Sequence, residues 1–503
     1  MVSTFSGLET ARRALSTQQA ALYTTSHNIA NANTEGYTRQ RVNFEQVSTL
    51  SVSRYTEGVK SNIGSGVQAG SIERIRERFL DVQYRNQTSK SGYYEQRAAA
   101  LSQMESIINE PTESGLANSM EEFWNSLEDL STNPASSGTR AVVAQNGQAV
   151  AESFNYINQS LQEVRSDLKN QIDITTKDFN SLVDQINSLN KEIAGIEPHG
   201  HVPNDLYDER DRLIDSLSSI ADISVEYNSS GGQPNPIAEG IATVTLNIND
   251  TGDTKVTLID GDTGSVNHLQ VGYNESNVET LTFTDPEDPT DTTPVNSFDF
   301  KSTGELQGLM EMNGYTDGTT VEGYYNEILT KLDTMATEFA DAFNATHQAG
   351  TDFDGDPGEV FFEYDPTSPA SSLTVNETIL DDPNKIAASL NGDAGDGSNA
   401  LNLVAVFDAA NVGLDGSSVK GYYESIIGDI GVVARKANTM VSNTAVLKQQ
   451  VSENRDSVSA VSLDEEMTNM IKFQHAYNAA ARSMTAVDEM LDRIINNMGL
   501  VGR

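Results

Sequence analysis

The sequence predicts a mainly α fold with an inserted β domain: a terminal α-helical coiled coil, an elongated helical bundle and a small antiparallel β domain. Three patterns carry this reading. Apolar residues recur at heptad spacing at both chain ends, one such repeat extends over residues 150–196, and between 223 and 300 the apolar period shortens to two. At 503 residues the chain also exceeds what one hydrophobic core usually serves. The expected division is 1–40 with 462–503 as a terminal coiled-coil assembly domain, 41–222 with 301–461 as an elongated helical domain, and 223–300 as an acidic outer β domain.

Leu8, Leu15, Leu22 and Ile29, with Ala11, Ala14, Ala21 and Thr25 between them, predict a first helix with one narrow apolar seam. Gly36 supplies the left-handed residue that closes a helix or turn. A Gly- and Ser-rich stretch to Gly70 reads as loop. Ile72, Ile75, Phe79 and Val82 then restart a helical period, which resumes at Leu101, Met104 and Ile108 and stops at Pro111. Leu116, Met120, Phe123, Leu127 and Leu130 mark another amphipathic segment. In the longest repeat Phe154, Leu161, Leu168, Thr175, Leu182, Leu189 and Ile196 stand seven apart, with Ile157, Val164, Phe179, Ile186 and Ile193 between them. Its 47 positions make a rod of roughly 70 Å, too long for a small globule. Pro198, Gly200 and Pro203 break it before a shorter helix through Leu206, Leu213, Leu217 and Ile220.

Period-two alternation follows at Ile223, Val225 and Tyr227, at Ala242, Val244, Leu246 and Ile248, at Leu269, Val271 and Tyr273, and at Leu281 and Phe283. Helical spacing returns with Tyr325, Ile328, Leu332, Met335, Phe339 and Phe343. Residues 349–417, rich in Asp, Gly, Pro and Asn, read as a loop-dominated lobe, and the chain is helical again from Tyr422. The last segment holds an unbroken seam of Met470, Phe473, Tyr477, Ala480, Met484, Val487, Leu491, Ile494 and Met498. The two end seams can satisfy each other within one chain or pair with copies of it.

Charge narrows the function. The net formal charge is −41, a field that repels phosphate backbones and anionic lipid, so neither nucleic acid nor membrane surface is an expected partner. It is uneven: residues 1–60 carry a net of +2, and 223–300 hold Lys255 against thirteen acids. The ends can associate while the middle faces water. The absence of Cys excludes disulfides, thiol nucleophiles and Cys-ligated metal sites. No apolar run of about 18 residues occurs, and the first residues lack a basic and then apolar secretory signal, so export would need another route.

Chemical sites are sparse, and the expected catalytic, metal and cofactor complement is none. Asp352, Asp354, Asp356 and Glu363 hold positions one, three, five and twelve of a calcium loop, but Pro357 stands where the turn needs Gly. His199 and His201 lack a third ligand and lie in a Pro-flanked turn; His27, His268, His347 and His475 are scattered. Phosphate-loop and nucleophile motifs are absent. The cluster Asp205, Asp208, Glu209, Arg210, Asp211 and Arg212 reads as helix lacing, with Asp208 and Arg212 one turn apart, and as dipole complementarity. Asp464, Glu465 and Glu466 have the same bland reading.

Two signatures nevertheless stand together. Residues 26–40, with Asn28, Ile29, Ala30, Asn31, Asn33, Gly36 and Tyr37, resemble the N-terminal signature of the bacterial flagellar rod, hook and hook-associated axial protein family. Residues 462–467 (Leu463, Asp464, Glu465, Glu466), continuing through Gln474 and Tyr477 to Leu491, resemble its C-terminal signature. Asp205, Leu206, Asp208, Arg210 and Asp211, and Phe343 to Gly350, are similar to motifs of members at the hook–filament junction.

The resemblance implies a non-catalytic structural protein, secreted through the flagellar type III apparatus, that self-assembles into a ring at the distal end of the hook. It implies hook protein below, the next hook-associated protein above, and a cytoplasmic export chaperone on the C-terminal segment. It further implies nesting, with paired chain ends innermost and the β insert outermost. In the free monomer the ends are expected to be mobile. Alternatives are a hook or distal-rod axial protein, or, from another class, a secreted acidic hydrolase or calcium-dependent adhesin.

Overall fold

The structure, a computed structural model, describes residues 5–47, 66–109, 115–249 and 252–497. In chain order it runs α1 (Phe5–Ala30), a hairpin of β1 (Gln40–Gln46) and β2 (Val67–Arg74), α2 (Arg78–Ile108), α3 (Leu116–Thr132), α4 (Ser137–Ile196) and α5 (Asn204–Ile220). Six strands follow: β3 (Ile223–Asn228), β4 (Ile241–Asn247), β5 (Lys255–Ile259), β6 (His268–Asn274), β7 (Asn277–Thr284) and β8 (Thr292–Asn296). Then come α6 (Glu305–Asn313), β9 (Tyr315–Thr316), β10 (Val321–Glu322) and α7 (Tyr324–Gln348). The loop-rich lobe holds β11 (Phe362–Glu363), α8 (Pro369–Ser372), β12 (Thr374–Val375), α9 (Glu377–Asp381) and α10 (Ser398–Asp408). Two long helices, α11 (Val419–Ser459) and α12 (Leu463–Asn497), complete the fold. Pro111 and Met498 lie outside the described residues. No described helix is long and apolar enough to cross a membrane.

The spine is α4. Its first turn is capped by Ser136, whose hydroxyl accepts from the Thr139 amide, and its 60 residues span about 90 Å, starting earlier than the periodicity suggests. Phe154, Leu161 and Leu168 lie on the buried stripe as expected, but Leu182, Leu189 and Ile196 are only half-buried; Ile172, Val183 and Asn190 take the core positions instead. A helix of 3.6 residues per turn drifts by about 20° per heptad relative to a strict seven-residue repeat, and without supercoiling that drift carries the repeat off the contact face.

The alternating segments are strands, but they form two sheets and continue past residue 300. One is β3-β4-β5; in the other, β7 pairs with β6 and β8 and, through Val278 and Tyr315, with β9. Both are fastened to α4 by asparagines whose amides substitute for a neighbouring strand. Asn180 bonds the N–H and C=O of Leu269 (both 2.8 Å), and Asn190 bonds those of Ala242 (3.1 and 2.7 Å). Farther toward the α4 N-terminus, Asn155 and Arg140 bond lobe carbonyls at Leu373 and Ile386. The lobe therefore occupies the end of α4 remote from α5, and the sheets flank the helix between.

Residues 40–74 depart from expectation. Val67–Arg74, including Ile72 of the expected helical period, pairs antiparallel with β1. The cause is tertiary: Asn28 on α1 bonds both the amide and carbonyl of Gln40, and Thr17 donates to the Val67 carbonyl. The hairpin thus leans on α1, and the boundary expected at 40/41 falls inside β1. At the head of α2, Phe79 and Val82 are 69% and 52% exposed while Asp81 and Arg85 are buried, the reverse of the apolar pattern.

One continuous apolar core runs from Ala98 to Ala437 through α2–α7, both sheets, the lobe and α11, and no described residue of α1, the hairpin or α12 belongs to it. Near the lobe it centres on Phe123, Phe343, Phe361 and Phe362. Buried His347 closes this end, bonding the Glu359 carbonyl at 2.6 Å through Nδ1 and accepting from the Ala387 amide at 2.9 Å through Nε2. Burial pushes its pKa down to about 4, so the unfolded chain binds its proton first as pH falls. Stability from neutral His347 is complete above about pH 6.5 and is lost progressively toward pH 4, by on the order of 3 kcal/mol. Urea unfolding of wild type and His347→Gln at pH 7, 5.5 and 4 should show their difference shrinking by that amount; a constant difference contradicts it.

Candidate assembly interface

The terminal helices form an antiparallel pair. A methyl group at Gly7 would meet Val487 at 3.5 Å, and at the other end Asn28 donates to Glu466 at 3.2 Å. The predicted C-terminal seam faces this pairing: Met470, Phe473, Tyr477, Ala480, Met484 and Val487 are half-buried, Leu491 is buried, and Ile494 is 39% exposed. On α1 the picture shifts. Leu8, Leu15, Leu22 and Ile29 are half-buried, while Ala11, Thr17, Ala21, Thr24, Thr25 and Asn28 are the buried positions. The reason is that α1 is wedged between α12 and the hairpin, so small and polar residues occupy its tightest face. Phe44 of β1 meets Phe473 edge-on, centroids 5.9 Å apart.

The two terminal signatures meet at the open end of the pair. Gly36 takes a φ of +80°, turning the chain so that residues 37–40 run back past α1. Tyr37 donates to the Asn28 side-chain Oδ1 at 2.8 Å and lies 2.9 Å from His27 Nδ1. Arg39 forks between Glu465 (2.7 Å) and buried Glu466 (2.8 Å), and its amide donates to the Ser459 carbonyl at 2.8 Å. The acids at the head of α12 therefore do more than complement its dipole. Asn31 bonds the His27 carbonyl, whereas Ala30, Asn33, Leu463, Asp464 and Gln474 are exposed.

The α5 cluster joins this terminal unit to the body, and here the expected lacing is wrong. Arg212 pairs with Glu209 at the surface, leaving Asp208 to Arg74 (2.6 Å) and the Thr38 amide (3.1 Å). Asp205 accepts from Gln40, and Leu206 is half-buried. Asp211 lies within 3.0–3.4 Å of Arg74, Arg76 and Arg85 and accepts from Tyr227 at 2.9 Å. Asp215 links Arg85 and Arg455 of α11 (2.7 and 2.6 Å), and buried Arg210 donates to the Gly240 carbonyl (2.7 Å). Burial alone would raise the Asp211 pKa, but Arg76, Arg74 and Arg85 together hold it well below the usual carboxylate range; Asp208, with one guanidinium, stays raised. Sequence reasoning missed Arg74, Arg76, Asp81, Arg85, Asp215 and Arg455. The available signal was the arginine run 74, 76 and 78 in a chain so poor in cations.

Of the remaining candidates, Asp352, Asp354 and Asp356 converge on Lys385 while Glu363 stands apart, bonded to Asn376, and the histidines are not brought together. His199 and His201 are exposed, with His199 bonded to the Gly195 carbonyl, and as folded no group of three or more His, Asp or Glu side chains among the described residues could hold a metal ion.

With this geometry in place, three family models match: the flagellar hook-associated protein FlgK helical domain over residues 101–362, the flagellar basal body rod FlgEFG protein C-terminal region over 454–498, and the flagella basal body rod protein over 8–38. The chain is 48% identical to flagellar hook-associated protein 1 of Bacillus subtilis (strain 168) over the full length of both, and 24% identical to that of Escherichia coli (strain K12), covering 97% and 99%. The solved flagellar hook junction protein FlgK of Burkholderia pseudomallei shares the fold: TM-score 0.60 at 15% identity, over 76% of this chain and all of that one.

Proposed function

Proceeding from the fact that the chain belongs to the flagellar hook-associated protein 1 family, we infer that it acts as a non-catalytic structural protein of the hook–filament junction. It is part of the bacterial flagellum and assembles along its hook–filament axis. The finer reading is a ring of copies on the distal hook, in contact with hook protein on one side and the next hook-associated protein on the other. The chain reaches that place by type III export, with a cytoplasmic chaperone holding the C-terminal segment until then.

One observation carries the assembly reading. After α1 and α12 have paired, α12 still presents Leu463, Met467 and Ile471, spaced by four and 47%, 57% and 53% exposed. A surplus apolar stripe on a subunit of charge −41 is a contact surface, because burial of apolar area must outweigh like-charge repulsion when copies stack. Deletion of the gene is expected to leave hooks, abolish filaments and release flagellin monomer into the medium. Normal filaments in the deletion strain would refute the junction role, and loss of hooks would favour the hook or rod alternative.

A further inference from the structure

The acidic loop that imitates a calcium site already contains a cation. Asp352, 3% exposed, uses Oδ1 to accept the amides of Asp354 (2.9 Å) and Asp356 (2.8 Å), which turns the three carboxylates toward one point. At that point lies the Lys385 ammonium, 2.9, 3.3 and 3.4 Å from Oδ2 of Asp352, Asp354 and Asp356. Lys385 is placed by a short 3₁₀ turn, Pro383–Lys385, that Asp382 caps and that the Phe353 amide fastens to the loop through the Asn384 carbonyl at 3.0 Å. The twelfth-position acid takes no part: Glu363 sits in β11 and accepts from Asn376.

We propose that Lys385 is the built-in cation of this loop, filling the place a divalent ion takes in loops of this spacing, so that the order of the lobe is independent of external calcium. Buried Asp352 needs a counter-charge, exposed Asp354 and Asp356 bring theirs to the same point, and an oxygen-only donor set suits calcium as well as ammonium. A tethered ammonium is always present at high effective concentration, so it excludes a free ion. Remove it, and the same oxygens become a calcium site.

The test is thermal unfolding of the full chain in EDTA and in millimolar calcium. Wild type is expected to show the same midpoint in both. Lys385→Ala should unfold earlier in EDTA and recover by about 2–4 °C with calcium; Lys385→Arg should stay calcium-insensitive. Should Lys385→Ala fail to fold, Lys385→Gln serves, with hydrogen exchange of residues 351–357 as the readout. A calcium-dependent rise in wild type equal to that of the variant would overturn the proposal, as would a Lys385→Ala midpoint unchanged in EDTA and unmoved by calcium.

Discussion

Replacing Asp211 by alanine is expected to cost about 3–5 kcal/mol, the range for removing one partner of a buried ionic cluster. Asp211 is buried with Arg74, Arg76 and Arg85 around it. Without it these guanidinium groups keep their charge and lose the carboxylate they share, leaving Arg74 to Asp208 and Glu239, Arg76 to Asp81 and Arg85 to Asp215. Asp211→Asn should lie between wild type and alanine, since it retains an acceptor for Tyr227 and restores no charge. Urea unfolding followed through Trp124, stacked on Phe407 in the body, measures the loss. Asp464→Ala, an exposed acid of the C-terminal signature, should change stability by less than about 0.5 kcal/mol. Equal effects at the two positions would mean that the α5 cluster is not a structural joint. The sign with pH also follows: the Asp211 contribution is present above the ordinary carboxylate range and lost on acidification, because its folded pKa is depressed.

The second large effect belongs to assembly. Met467→Asp with Ile471→Asp should leave the monomer folded and eliminate filaments. Burying the exposed half of two such side chains is worth about 2–3 kcal/mol per contact, and the substitution also adds two charges to a subunit already at −41. Cells carrying the double variant should resemble the deletion strain, with bare hooks and flagellin in the medium, while circular dichroism of the purified monomer matches wild type. Val412→Asp is the control, an apolar side chain on the lobe that is 94% exposed and not part of the terminal pair. Intact filaments on the double variant would move the contact surface elsewhere.

Periodicity found the long helices because each buries a stripe, and a stripe leaves a mark in one sequence segment. It failed where the driving partner is distant. The helix expected at Ile72 is a strand because Asn28, Thr17 and the rest of the terminal unit supply its bonds. Phe79 and Val82 face outward because the ion cluster claims the inner face of α2 at Asp81 and Arg85.

From the sequence alone came the mainly α class with its β insert, an apolar seam at each chain end and, through the two terminal signatures, the family. Only the tertiary structure decided which acid meets which arginine, that Lys385 lies among three aspartates, and that α1 buries alanines and threonines while its leucines stay half-exposed. The physical reason is range. A hydrophobic stripe is written in neighbours three and four residues apart, whereas a charge finds partners such as Asp215 and Arg455 only after folding has brought 240 positions of chain together.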